Sequence, residues 1–194
     1  MFLDDEGGEY KTGEFEVMEQ MLAYKFIQKT DNVLELGCRF GTNSCLISVL
    51  CNKLVAIDPC KSAVDTCIKN MNRYGFNFIC EWCTVSKNSQ VLNINKDATF
   101  ASYTSDGTSD IPNYTMKDLE EKHSMKFNTI VADCEGCLEK FVTANDISNI
   151  TKIIYEQDNE CMCDYSKVES LLTMKGMRMV EKTYDGLFRK VWII

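Results

Sequence analysis

Apolar residues at Phe15, Met18, Met21, Leu22 and Phe26 recur every three to four positions, so residues 14–29 read as an amphipathic helix. The pattern then changes. "NVLELG" (32–37) is a short apolar run ending in Gly, the mark of a buried strand, and "TNSCLISVLC" (42–51) reads as a helix opening behind a Gly-containing turn. "KLVAID" (53–58) is a second strand, followed by a helix over 62–75 that Gly75 closes. "NFICEWCTVS" (77–86) reads as a third strand, and the polar, turn-rich 99–114 as a loop. Thr115, with Asp118 three residues on, predicts the start of a helix in "TMKDLEEKHS". "FNTIVAD" (127–133) and "ITKIIYE" (150–156) are further buried strands, with a helix over 166–176. The last two apolar runs flank Asp185-Gly186, a hairpin signal.

Strands alternating with helices predict an α/β fold. Its sheet is mostly parallel with helices on both faces, and the C-terminal hairpin adds one antiparallel strand. In such sheets ligands bind beyond the carboxyl ends of the strands. Gly37, Asp58, Ser86, Asp133 and Glu156 occupy those ends.

Composition narrows the class. The chain has 194 residues, enough for one domain, read as an N-terminal segment and helix (1–30) and a core (31–194). The acidic start lacks the pattern of a signal peptide, and no apolar run reaches a membrane span of roughly 20 residues. A soluble, intracellular, cytoplasmic protein with no membrane partner is expected. The net charge of −8 argues against nucleic acid as a partner, because phosphate neutralisation supplies most of such affinity.

Gly37 and Gly41 let the backbone of the first strand-helix turn approach a ligand closely. Asp58 lies 21 residues after Gly37, where a strand-end acid can accept ribose hydroxyls. A dinucleotide fingerprint would need Gly at 37, 39 and 42, but Arg39 and Thr42 stand at the last two. No P-loop is present either. An adenosine cofactor without phosphates fits better, and S-adenosylmethionine is the obvious one.

At this point the chain resembles the FkbM-type class I methyltransferases. Glu35, Gly37 and Gly41 look like the family's first motif. "AIDP" (56–59), with Asn70 and Gly75 in the next helix and turn, is similar to the second. "TVS" (84–86), the Ser/Thr-rich 99–114 stretch with its Thr-x-x-Asp-Leu helix start, and the Asp133-x-Glu135-Gly136 strand end follow in the family's order. The likeness covers about residues 30–160. It implies a Rossmann-like seven-stranded sheet and a cofactor site of Glu35, Gly37, Cys38, Gly41, Asn43, Asp58, Pro59 and Ser86. It also implies methyl transfer to a hydroxyl of a sugar or glycan. Two positions depart from the pattern: Leu138 replaces an expected acid, with Glu139 one place on, and Arg39 stands where Asn is usual.

Alkylating a hydroxyl calls for a general base or a metal that lowers its pKa. Asp133 and Glu135 are candidate bases, with Glu156 on the neighbouring strand. Asp133, Asp158 and Asn159 offer hard oxygen ligands for Mg²⁺ or Mn²⁺. The direct base is favoured over the metal. No Asn/Asp-Pro-Pro-aromatic segment follows a strand, which argues against amino-methylation of bases. The polar 99–114 stretch is positioned to cover the cofactor or meet a polyol. The competing reading is a non-catalytic Rossmann-like module that binds an adenosine ligand or scaffolds a larger multidomain protein; a homo-oligomer is a further expectation.

His123, in a polar helix away from the strand ends, reads as a solvated surface residue. Eleven cysteines, an odd number and scattered, argue against a disulfide framework. Cys45, Cys51, Cys67 and Cys80 fall in apolar runs and read as small core residues. "CEWC" (80–83) and "CEGC" (134–137) are too far apart for a zinc ribbon, and Cys80 and Cys83 should face opposite sides of a strand. Cys134 and Cys137 are therefore read as bystanders to Asp133, Glu135 and Gly136.

Overall fold

In a computed structural model, residues 1–4, 7–10, 16–95, 102–158 and 162–194 are described. The elements run in the order β1 (Phe2–Leu3), β2 (Glu9–Tyr10), α1 (Val17–Phe26), β3 (Asn32–Leu36), α2 (Thr42–Leu50), β4 (Lys53–Asp58) and α3 (Lys61–Tyr74). There follow β5 (Ile79–Trp82), β6 (Thr84–Val85), β7 (Gln90–Asn93), β8 (Tyr103–Asp106), β9 (Asn113–Tyr114) and α4 (Met116–Lys122). The chain ends with β10 (Thr129–Ala132), α5 (Leu138–Ala144), β11 (Lys152–Gln157), α6 (Tyr165–Met174), β12 (Arg178–Tyr184) and β13 (Phe188–Ile193).

Seven strands form one sheet in the order β12-β13-β11-β10-β3-β4-β5. Only β13 runs against its neighbours, as the hairpin signal predicts. Both faces are covered, which is why β3, β4 and β10 are apolar at nearly every position. On one face Val33, Leu54 and Val131 pack with α1, α2 and α3; on the other Leu34, Val55 and Ile130 pack with α4, α5 and α6. Gly75 closes α3 in the left-handed region (φ 71°), and Thr115 and Asp118 form a reciprocal capping box at α4. No helix among the described residues is long and apolar enough to cross a membrane.

Several expectations need correction. The run 77–86 is two strands, β5 and β6, divided at Cys83, whose N–H turns to the Asp58 carbonyl. The expected loop over 99–114 contains β8, paired with β7, and β9, paired with β6 (its residues 99–101 lie outside the described ones). Turn-forming Ser, Asp and Gly hid these strands, but Thr and Tyr suit a pleated ladder. In α1, Met21 is exposed while Glu19 is buried, because Glu19 pairs with Arg189 of β13. His123 is not a solvated residue: its side chain is 10% exposed and its Nε2 lies 2.9 Å from Glu81 Oε1. Cys80 and Cys83 do face opposite sides, packing into different cores. Cys134 and Cys137, read as bystanders, are joined in a disulfide.

Candidate active site

A cavity of about 300 Å³ opens at the carboxyl ends of β3, β4 and β10, under the β7–β8 hairpin. Its floor is the turn between β3 and α2. Gly37 has φ 87°, and a Cβ on it would fall 1.7 Å from the Asp133 carbonyl oxygen. The turn therefore packs directly on the loop after β10, and only glycine fits. Gly41 has φ 80°, and its Cβ would meet Cys67 Sγ at 2.5 Å. Asn70, fully buried in α3, fixes the same turn from below by donating to the Phe40 carbonyl.

Asp58, at the end of β4, lines the cavity. Its carboxylate accepts the N–H groups of Arg39 (3.0 Å) and Cys60 (2.8 Å), which ties the two strand-end turns together. Burial raises its pKa to about 6 against those hydrogen bonds. Pro59 and Ser86 also line the space, with Leu36, Ile57 and Val85 as apolar walls.

The loop after β10 presents acids. Glu135 adopts φ 52°, a left-handed conformation uncommon for a side chain of its size, and Gly136 follows at φ 87°. Asp158 holds that conformation: its two carboxylate oxygens accept the N–H groups of Glu135 (2.7 Å) and Gly136 (2.8 Å). Tyr165 donates its hydroxyl to the same carboxylate at 2.7 Å. Asp133 and Glu135 both line the cavity. Burial, then the Asp158 charge, raises Glu135 to about 7. Burial and the neighbouring acids Glu16 and Asp158 push Asp133 well above the carboxylate range.

Gly37, Asp58, Pro59, Ser86, Asp133 and Glu135 are thus brought to one cavity. Other expected site residues stand elsewhere. Glu35 is buried beneath the turn, where the Asn43 amide donates to it (3.4 Å), and burial raises its pKa to about 8. Gly41 and Asn43 support the turn from outside the cavity, and the Cys38 side chain is buried beside Cys80. Glu156 does not line the cavity; it pairs with Arg189, which Glu19 also binds, while its carboxylate stays within 4.8 Å of that of Asp133. Leu138 is core, and Glu139 pairs with Lys167 at 2.7 Å, so neither supplies an acid to the cavity. The metal set is not assembled among the described residues. Asp158 spends its oxygens on backbone N–H groups, and Asn159 lies outside those residues. The acids that do gather are Glu19, Asp133 and Glu156, and the Arg189 guanidinium already pairs with two of them.

Sequence reasoning missed Glu16 and Lys140, and it gave the 88–95 stretch no element. Glu16 reaches the cavity from the start of α1, accepts the Thr42 hydroxyl and is raised by burial to about 7. Lys140 enters from α5 and pairs with Asp106 at 3.1 Å. The β7–β8 hairpin closes one side with Gln90, Leu92 and Thr104. No local pattern marks these residues, which meet only through the fold.

No protein-family model and no curated protein sequence matches the chain. Solved structures do. A ribosomal protein L11 methylase from Lactobacillus delbrueckii subsp. bulgaricus superposes with a TM-score of 0.57 at 14% identity, over 97% of this chain and 81% of that one. The N-methyltransferase NodS from Bradyrhizobium japonicum gives 0.53 at 13%, over 93% and 94%. Methanocaldococcus jannaschii Trm5, solved with adenosine, gives 0.54 at 15% over 95% of this chain, which spans about half (49%) of that protein. The fold is therefore the Rossmann-like fold of these methyltransferases, with the strand order and the single reversed strand described above.

Proposed function

We propose that the chain is an S-adenosylmethionine-dependent methyltransferase acting on a hydroxyl of a sugar or glycan. The observation that carries this reading is the convergence on one cavity of a glycine turn, a strand-end acid and a carboxylate near neutrality: Gly37, Asp58 and Glu135. The residues fit such a cofactor. Gly37 lines the cavity with backbone alone, Asp58 retains lone pairs for ribose hydroxyls, and Leu36, Ile57 and Val85 form a slot for an apolar ring. Acids on Glu16, Asp58 and Glu135 suit a cationic sulfonium. The cofactor supplies an electrophilic methyl group.

Glu135 acts as general base, taking the acceptor's hydroxyl proton onto its carboxylate as the oxygen is alkylated. A carboxylate raised to about 7 is well matched to that task near neutral pH. Asp133, whose carboxyl burial pushes well above its ordinary range, orients the acceptor. Asp158 and Tyr165 position Glu135. Glu156, bound to Arg189, takes no part in proton transfer.

Charge and the FkbM-like order of motifs support the sugar reading of the acceptor. Glu16, Asp58 and Glu135 outnumber Arg39 and Lys140 around the cavity, which disfavours a polyphosphate and suits a neutral polyol. Thr104 and Gln90 offer hydrogen bonds to it from the hairpin. Calorimetry with S-adenosylhomocysteine tests the cofactor: one site per chain is expected, and no binding overturns the reading. A screen of sugars and nucleotide-sugars for methyl acceptance, read by mass shift, tests the acceptor. Methylation of RNA alone would refute the sugar.

A further inference from the structure

Three cysteines from three separate elements meet behind the glycine turn. Cys38 comes from the turn itself, Cys67 from the middle of α3 and Cys80 from β5. Their sulfur atoms all lie within 4.8 Å of one another, and Cys38 Sγ is 3.8 Å from Cys80 Sγ. All three are free thiols. Cys38 and Cys67 are buried, while Cys80 is partly open.

The spacing has a meaning. A disulfide would bring two sulfurs to about 2.05 Å. Zinc holds thiolates at about 2.3 Å, which separates sulfurs around one ion by roughly 3.7–4.0 Å. We propose that Cys38, Cys67 and Cys80 form a three-thiolate site for one Zn²⁺ ion, with the fourth position open to water on the Cys80 side. Sulfur ligands select zinc-type ions over Mg²⁺, Ca²⁺ or Mn²⁺. Zn²⁺ leaves the site with one net negative charge, whereas Cu⁺ would leave two in a neighbourhood that already holds Glu35. On binding, each thiol gives up its proton to solvent and forms one sulfur–metal bond, so three protons leave per ion. The ion would staple the glycine turn to α3 and β5, joining parts that chain connectivity leaves apart.

The test uses the full chain, reduced, metal-free and under anaerobic conditions. Co²⁺, a coloured substitute for zinc, should give a thiolate-to-metal charge-transfer band that saturates at one ion per chain and is displaced by one equivalent of Zn²⁺. Cys67→Ser and Cys80→Ser should each weaken binding by at least about 100-fold, more than loss of an outer-shell partner does. Cys83→Ser and the double variant Cys134→Ser/Cys137→Ser should bind as wild type does. Circular dichroism checks that each variant is folded. Should the variants fail to fold, X-ray absorption on the zinc-loaded wild-type chain decides the matter by counting about three sulfur neighbours at about 2.3 Å. A folded wild-type chain with no band overturns the proposal, as does a band that survives in both single variants. So does loss of the band in Cys134→Ser/Cys137→Ser, or a zinc ion with fewer than three sulfurs. None of these results depends on whether the chain binds S-adenosylhomocysteine.

Discussion

The turns after β3 and β10 lie side by side at the centre of the sheet and are built on opposite plans. The first offers its backbone: glycine at 37 removes the side chain, and Cys38 turns its thiol away from the cavity. The second offers side chains: Asp133 and Glu135 face the cavity, and a buried carboxylate behind them, Asp158, holds the backbone N–H groups. One turn is shaped by what is missing and the other by what is hydrogen-bonded. Binding and proton transfer can therefore be disturbed separately, although the two turns touch.

The sharpest break comes from Gly37→Ala. The added Cβ meets the Asp133 carbonyl and sits at a positive φ, so both turns must shift. S-adenosylhomocysteine binding should fall by more than about 100-fold and stability by at least about 2 kcal/mol, read by calorimetry and denaturant melts. Wild-type binding in this variant would mean that the backbone of the first turn does not touch the cofactor.

Glu135→Gln should separate the two plans. Turnover should drop by about 10²–10⁴-fold while cofactor affinity changes little. In the wild-type chain the rate should rise with pH and level off above about 7, because the base works only once its raised carboxyl has lost its proton. A flat profile between pH 5 and 9 would remove Glu135 from the role. Asp158→Asn tests the support behind it. Loss of the charge that accepts two N–H groups should cost about 1.5–3 kcal/mol in a thermal or denaturant melt. It should also move the pH midpoint downward, since the Asp158 charge helps to raise Glu135. The smallest effect belongs to Glu139→Gln. This acid is spent on Lys167, so stability should change by less than about 1 kcal/mol and turnover by less than twofold. A large loss of activity would mean that Glu139 does serve the acceptor.

The same contrast explains what could be read from the chain. The central strands of the main sheet stood out because both faces are covered, which leaves apolar runs such as those of β3, β4 and β10, while exposed β12 was marked by the hairpin signal at Asp185-Gly186. The β7–β8 hairpin did not, because it covers the cavity away from the main sheet and interrupts its apolar positions with Ser, Asp and Asn. Asp58, Asp133 and Glu135 were found because a strand end is a place that a sequence can mark. Glu16 and Lys140 were not, because they enter from the starts of α1 and α5 and not from a strand end. Glu35 and Asn43 were placed in the right turn but on its inner side, a distinction of orientation that spacing does not carry. The Cys134–Cys137 spacing was visible, yet its neighbouring acids were judged to be its whole purpose. The grouping of Cys38, Cys67 and Cys80 had no local signature, being the meeting of a turn, a helix and a strand.

The pairing of β3 sets a schedule for synthesis. One flank of β3 bonds to β4, which follows within about twenty residues, but the other bonds to β10, with Asn32 meeting Asn128 across 96 positions. About 70 residues separate the end of β4 from the start of β10, so at about 5–20 residues per second the strand stays half-zipped on the ribosome for about 4–15 s. During this time a strand that ends almost wholly buried shows an open apolar ladder to its surroundings. The nascent chain is thus most in need of protection between the synthesis of β4 and that of β10, when the first turn of the site already exists and the second has not yet been made.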